Sequence, residues 1–398
     1  MHDLTQCVHH PSVPHDGFAS LSVATYRAST IVFDSAESYA ERHQRGLTGY
    51  SYGLYGTPTS RTLEAQITRL HGGAGTALLP SGQAAITGIM LSILRPGDRV
   101  LIPSSVYPPV LAFCQNYLAE LGIEHSVYDP LCGSGIEPLL DAKTKLVWVE
   151  SPGSTSLEVQ DLPAIAAAAH QAGALVGCDN TWASPLICKP LALGADFVVE
   201  ALTKYAGGHS DLLLGSVTAA DDASDTNLKA WLRTMGIGVS PDDCSLALRG
   251  IETMGVRLAH VGRIALDIAR KLSHSPAVQR ILHPALPHHP GHTVFMRDFK
   301  ASSGLFSVEL KPQVSPFLHQ SLKRLRCFAI GASWGGTHSL LAPITLAARN
   351  GAATSSSQSY LRISIGLEDP DDLWDDLNTI FHQLERELQE PSVNTTIA

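Results

Sequence analysis

Charge is what this 398-residue chain has least of. Charged residues make up 16% of it, against about 25% in an average soluble protein. So little charge points to surface hidden in an oligomer. Positive charge is in shorter supply still. The 28 Lys and Arg face 37 Asp and Glu, for a net charge of -9. That balance excludes a broad nucleic-acid or anionic-membrane footprint. No stretch reaches 18 consecutive apolar residues, so no membrane-spanning helix is expected. The first 30 residues lack a basic start followed by an apolar run, so no signal peptide is expected. Cysteines number seven, at positions 7, 114, 132, 178, 188, 244 and 327, with no CxxC pair. The odd count and scatter exclude a disulfide framework and a thiolate zinc site. A reduced, cytoplasmic protein is expected. With 44% hydrophobic residues it is not disordered, and its length suits two or three domains with a large core.

Residues 1 to about 60 are irregular in pattern and end in Tyr52-Gly53-Leu54-Tyr55-Gly56-Thr57-Pro58-Thr59. They read as an arm and a loop. From about 61 to 215 helical and strand patterns alternate. Helices are expected over 60–70, capped by Ser60, and over 84–94, 110–121 and 162–172; strands over 99–102, 146–149, 174–178 and 197–200. Strands alternating with helices of this length indicate an α/β fold with a parallel sheet. Beyond residue 240 the pattern changes. Residues 242–273 read as one long or broken helix bridging two domains, and 304–310 as a strand. Leu361, Ile363 and Ile365 alternate with Arg362, Ser364 and Gly366, the pattern of a half-buried strand. Residues 371–388 form an amphipathic helix with Asp369 as cap and Pro370 at its first position. The Ser-rich run 351–359 is expected to be a loop and the tail after Pro391 disordered. Asn394-Thr395-Thr396 fits a glycosylation acceptor by chance.

Ligands of open α/β sheets bind beyond the carboxyl ends of strands, and four such places stand out. Pro80-Ser81-Gly82-Gln83 precedes a helix whose exposed N–H groups and dipole suit a phosphate. Taken alone, a plain helix cap is the simpler reading. Tyr107 follows a strand and can stack on a planar ring or pack beside its prolines. Asp179 can pair with a cationic ring nitrogen or a metal, or cap the next element. Lys204, in Thr203-Lys204-Tyr205, sits among small residues about one βα unit beyond Asp179 and can form a Schiff base with an aldehyde cofactor. The order phosphate loop, ring, acid, lysine is far more specific than any member. His283, His288, His289 and His292 crowd one segment, but Pro284, Pro287 and Pro290 break it. No helical HxxxH face forms, so a surface loop is expected there and no metal site.

From about Tyr50 to Leu388 the chain resembles the Cys/Met-metabolism family of pyridoxal-phosphate-dependent enzymes, and within it the bacterial cystathionine β-lyases. The carrying stretches are Tyr52-Gly53 with Gly56-Thr57-Pro58-Thr59, Ser81-Gly82-Gln83-Ala84-Ala85, Glu150-Ser151-Pro152-Gly153-Ser154, Asp179-Asn180-Thr181-Trp182, Thr203-Lys204-Tyr205 with Gly208-His209-Ser210-Asp211, Ser333-Trp334-Gly335-Gly336, and Leu361-Arg362 with Ile365-Gly366-Leu367-Glu368-Asp369. The resemblance implies the aspartate-aminotransferase-like fold (fold type I). A large, mostly parallel mixed-sheet cofactor domain (57–250) would follow an arm (1–56) reaching the neighbouring subunit and precede a smaller C-terminal α+β domain (251–398). It implies pyridoxal 5'-phosphate as cofactor. Lys204 would carry the Schiff base and shuttle the α-proton, Asp179 would hold the ring nitrogen protonated, and Tyr107 would stack on the ring. Ser81, Gly82, Gln83 and Thr203 would hold the phosphate. Tyr52 would cross from a neighbouring subunit to the phosphate or the reacting amine. Arg362 would grip the substrate carboxylate, Ser333 would orient Lys204 or that carboxylate, and Trp334 would shape the pocket.

Departures from the family pattern gather round this site. Leu54 stands where the family has an arginine for the phosphate, with Tyr55 next. Ala201 replaces a frequent serine, His338 a glutamate, and Ala332 a tyrosine often found in the β-lyases. The implied activity is carbon–sulfur β-elimination on L-cystathionine or a related cysteine thioether, a transsulfuration step of methionine biosynthesis, by a homotetramer of dimers. Trp334 favours this branch. The alternatives are γ-elimination or γ-replacement, as in methionine γ-lyase, cystathionine γ-synthase or a sulfhydrylase, and a specialised biosynthetic transferase. Lys204 and Asp179 argue against a cofactor-less binding protein.

Overall fold

The computed structural model describes residues 1–9, 11, 20–47, 49–346 and 358–389. The Ser-rich stretch 351–357, the tail after Pro391 and Asn394 lie outside these described residues. Seven strands make one sheet: β1 (Gly75–Leu79), β2 (Arg99–Pro103), β3 (Glu124–Tyr128), β4 (Thr144–Glu150), β5 (Leu175–Asp179), β6 (Phe197–Ala201) and β7 (Gly215–Ala219). Their order is β1-β7-β6-β5-β4-β2-β3. Only β7 runs against its neighbours; β6, β5, β4, β2 and β3 pair in parallel. The sheet is therefore mixed but mostly parallel. Helices cover both faces, so the central strands are apolar without alternation. Leu146, Val147, Trp148 and Val149 of β4 are all fully buried.

The element bounds follow from local chemistry. The helix Pro58–His71 starts earlier than expected, because Thr57 is its cap and Ser60 closes the reciprocal box with it; Ser60 is not the cap. The helix Gly82–Ile93 is capped by Ser81, whose hydroxyl accepts from Ala84 N–H. The expected helix 110–121 is a helix over Pro108–Phe113 that widens into a π-turn over Cys114–Leu118. Strands β1, β3 and β7 carry no sequence expectation, since Gly, Ser, Ala and Thr in β1 and β7 dilute the apolar signal. Their small side chains admit close approach: a Cβ on Gly215 would run into the Ser81 carbonyl.

Five further strands form a second sheet: β8 (Val278–Leu282), β9 (Leu305–Leu310), β10 (Ala329–Ile330), β11 (Leu340–Leu346) and β12 (Gln358–Ser364), ordered β10-β11-β12-β9-β8. Leu361, Ile363 and Ile365 point into the core as their alternation requires. The helix Pro241–Leu272 is unbroken, 32 residues or about 48 Å long. It packs on the helix Pro58–His71 at one end and on β8 and β9 at the other. The terminal helix Pro370–Gln389 buries Asp376, whose carboxylate accepts the N–H groups of Arg326, Cys327 and Phe328. This pins the segment leading to β10. The N-terminal residues are less irregular than their pattern: Asp3–Val8 is a helix that buries Cys7 against its own chain. No helix among the described residues is long and apolar enough to cross a membrane.

The histidine segment is a turn that is only partly at the surface: His288 is exposed and His292 half-buried. His283 and His289 are buried, because each ring accepts a backbone N–H two residues on, from Ala285 and Gly291, through Nδ1. The His283 ring also packs on Phe306 at 6.0 Å. The turn folds the His283 and His289 rings inward and leaves His288 outside.

Candidate active site

The carboxyl ends of β1, β2, β4, β5 and β6 open on one edge of the large sheet, and β9 and β12 of the second sheet close over it. Between them lies a cavity of about 230 Å³, lined by Ser81, Gly82, Gln83, Tyr107, Glu150, Asp179, Thr203, Lys204, Ala332, Trp334 and Arg362 among others. Every residue expected at the site lines this cavity or touches one that does, with the exception of Tyr52.

The turn after β1 starts the helix Gly82–Ile93, whose first N–H groups, on Gly82 and Gln83, have no carbonyl four residues back within the helix. A Cβ at Gly82 would lie 2.5 Å from the Cβ of Ala201, so only glycine lets this turn reach the β6 end. A serine at Ala201 would be tighter still. The Gln83 Oε1 is buried with no hydrogen-bond partner, while its Nε2 donates to the Pro109 carbonyl at 3.3 Å. A free helix N-terminus with a glycine cradle fits a phosphate dianion. Thr203 is turned inward: its hydroxyl donates to the Leu214 carbonyl at 3.3 Å and accepts from Leu214 N–H at 3.2 Å.

Tyr107 caps the helix Pro108–Phe113 and leaves its ring 44% exposed at the cavity. Its N–H donates to Glu150 Oε2 at 2.6 Å, and the Ser154 hydroxyl donates to Glu150 Oε1 at 2.6 Å. Glu150 and Asp179 are register partners at the ends of β4 and β5. Side by side in a parallel pair, they project to the same face. Burial, then the charge of Asp179, pushes the Glu150 carboxyl up; burial also pushes Asp179 up, against the pull of Lys204. Such a pair welcomes a cation between the strands. The Asp179 carboxylate also accepts Thr181 N–H at 2.9 Å, and the Thr181 hydroxyl accepts Ala201 N–H at 2.9 Å. This ties the acid's loop to the lysine's strand.

Lys204 Nζ donates to the Ser333 hydroxyl at 2.8 Å and lies 5.1 Å from the centre of the Trp334 ring. Burial, with Arg362 nearby, lowers its ammonium to about 8. At neutral pH a usable share is the free amine, which a Schiff-base lysine needs. Arg362, half-buried on β12, donates to the Ala332 carbonyl. Its remaining N–H groups leave a fork for a carboxylate. The chemistry of this set, a desolvated amine, an unpaired buried acid pair, a helix N-terminus and one guanidinium, fits pyridoxal phosphate and an α-amino acid.

Tyr52 stands apart. It lies on the arm, 45% exposed, in edge contact with Tyr55 at 5.9 Å, and does not line the cavity of its own chain. Leu54 packs on Gly238, and Tyr55 sits under Arg233, 4.4 Å from its ring centre. His338 exchanges a hydrogen bond with its neighbour Thr337 at 3.1 Å. Sequence reasoning assigned no role to Glu150, although its motif was in view. It also missed Ser364, which accepts Gly335 N–H at 3.3 Å, and Glu368, which accepts from Ser339 at 2.7 Å. Both hold the Ser333–Trp334 turn. For Glu150 and Ser364 a polar residue within a strand was the available signal; Glu368 lies in the loop after β12.

Residues 4–382 match the family described as Cys/Met metabolism PLP-dependent enzyme. The chain is 39% identical over 372 residues to the cystathionine β-lyase of Escherichia coli, covering 90% of this chain and 92% of that one. It is 30% identical over 380 residues to the L-methionine γ-lyase of Pseudomonas putida, covering 94% and 95%. Among solved structures it is similar to cystathionine γ-synthase from Xanthomonas oryzae pv. oryzae in complex with cystathionine, with a TM-score of 0.88, 31% identity and coverage of 97% and 99%. These relatives are named for different activities, a β-lyase, a γ-lyase and a γ-synthase. The chain belongs to the Cys/Met-metabolism family of pyridoxal-phosphate-dependent enzymes, of fold type I.

Proposed function

We propose that this chain is a carbon–sulfur β-lyase acting on L-cystathionine or a related cysteine thioether. The observation that carries the reading is the placing of Lys204 Nζ between Ser333, the Trp334 ring and the Arg362 side of the cavity, with Asp179 across from it. When bound, pyridoxal phosphate supplies an electron sink that acidifies the substrate Cα–H. Arg362 orients the α-carboxylate. Lys204 Nζ, held by Ser333, takes the α-proton and can return one to the departing sulfur. The C–S bond breaks with its electron pair going to sulfur. With one water, cystathionine yields homocysteine, pyruvate and ammonia.

In the same reading Asp179 would hold the ring nitrogen and Tyr107 would pack against the ring. Ser81, Gly82, Gln83 and Thr203 would hold the phosphate. Tyr52, outside its own chain's cavity, reaches that of a neighbour in a homotetramer of dimers. The arm would be residues 1–56, the cofactor domain 57–250 and the C-terminal domain 251–398, in a cytoplasmic enzyme. Trp334 lies beside Lys204, and the resemblance associates a tryptophan at this position with the β-acting branch.

The test is product identification from L-cystathionine with the cofactor-loaded protein. Pyruvate with homocysteine is expected. 2-Oxobutyrate with cysteine would assign the chain to γ-chemistry instead, and no turnover would make Leu54, Tyr55 and His338 the leads to a different substrate.

A further inference from the structure

Glu150 is the one acid of the cavity to which the proposed reaction gives no part, yet it is the most firmly held. Two loops meet on its carboxylate. Tyr107 N–H, from the loop after β2, takes one oxygen at 2.6 Å, and the Ser154 hydroxyl, from the loop after β4, takes the other at 2.6 Å. The same loops join again where Ser154 N–H donates to the Ser105 carbonyl at 2.8 Å. Gly153 packs there with its Cα against Ser105, where a Cβ would lie 2.5 Å from the serine side chain. The second loop is strained. Thr155 and Leu157, both lining the cavity, have φ of 64° and 58°, a region that branched and bulky residues avoid. Strain of this kind persists only where surrounding contacts hold it, and it gathers at ligand sites.

We infer that Glu150 is a positioning residue: its carboxylate ties the Tyr107 loop to the Ser154 loop and so fixes the Tyr107 ring at the cofactor plane. This rests on the reading that Tyr107 packs against the bound ring. The tie is a matter of two hydrogen-bonding positions, one for each loop, not of charge. Gln offers one oxygen to Tyr107 N–H and an amide that can donate to the Ser154 oxygen, so it can preserve the tie. Ala cannot.

The experiment uses the full-length protein in three forms, wild type, Glu150→Ala and Glu150→Gln. Two quantities are read: amide hydrogen exchange of the cofactor-free protein in peptides covering 104–113 and 150–158, and the Kd for pyridoxal phosphate by spectroscopic titration. For E150A, exchange at the Tyr107 amide rises about tenfold or more and Kd rises about tenfold, the loss of one to two hydrogen bonds to an ionisable acceptor. Exchange in β4 and β5 stays unchanged. E150Q stays within about threefold of wild type in both. Unchanged exchange and Kd in E150A would overturn the inference, and so would an E150Q as impaired as E150A, which would make charge the agent. Faster exchange with unchanged Kd would leave the tie standing and remove Tyr107 from the cofactor. If E150A loses protection everywhere, Ser154→Ala decides: it frees one end of the carboxylate, and unchanged exchange at Tyr107 would overturn the tie. None of these readouts depends on which bond of the substrate is cleaved.

Discussion

Two of the groups of buried ionisable side chains in this protein are held in opposite ways. His283 and His289 sit in the turn before the short helix His292–Asp298, with each Nδ1 accepting a backbone N–H. Burial lowers them to about 3 and about 4, so both rings are neutral at neutral pH. At the sheet edge, Glu150, Asp179 and Lys204 are desolvated as well. There Asp179 and Lys204 face a cavity, and their charges are left for a ligand to complete. Burial alone therefore does not mark function. What marks it is desolvation of opposite charges around open space.

The comparison can be broken most severely at Lys204. Replacing it by Ala should cost about 10⁴-fold or more in turnover and abolish the yellow colour of the cofactor-loaded protein, with the Tm changed little; retained colour or turnover would remove Lys204 from its role. Next comes Arg362→Met. Loss of a charge-assisted fork of roughly 1.5–3 kcal/mol predicts a fall of about 10- to 150-fold in kcat/KM, most of it in KM, measured by steady-state kinetics. An effect confined to kcat would mean Arg362 does not hold the ground-state carboxylate.

The histidine pair predicts an acid sensitivity. Both folded values lie below the unfolded 6.5, so the unfolded chain binds more protons between them. The stability is fully present above pH 6.5 and is lost as pH falls toward 4, at up to about 1.4 kcal/mol per pH unit for each histidine. His283→Asn, which can still accept the Ala285 N–H, should flatten the slope of unfolding free energy between pH 4 and 6 by close to one proton. An unchanged slope would show His283 already protonated in the fold. The smallest effect sharpens the other region. With Lys204 near 8, the rate of cofactor loading should climb about tenfold from pH 7 to pH 9 and level off. An inflection near 10.5 in stopped-flow loading would mean the amine is not desolvated.

Much of the site was legible because its members follow strand ends in order. Asp179, Lys204 and Gly82 each sit where an apolar run gives way to small or polar residues, and strand termini are where α/β folds bind ligands. Arg362 came from the resemblance, and its place on the polar face of β12 agrees with it. The resemblance added Ser333, and the bond to Lys204 Nζ agrees with it. Strands β1 and β7 were not legible, since packing between helices and neighbours, not side-chain pattern, makes their small residues strands. The buried histidines were misread as surface because proline spacing excludes a helix but says nothing about which way a turn folds its rings.

The sequence by itself determined the alternation of strands and helices, the long helix Pro241–Leu272 and the order of chemical groups along the chain. These are local or periodic properties, written in propensity and spacing. Only the tertiary structure decided that Glu150 and Asp179 lie side by side, that Ser333 meets Lys204 across 129 positions, and that the amine and acids lose their water. Register and desolvation arise from elements distant in sequence packing together, and no single segment carries them.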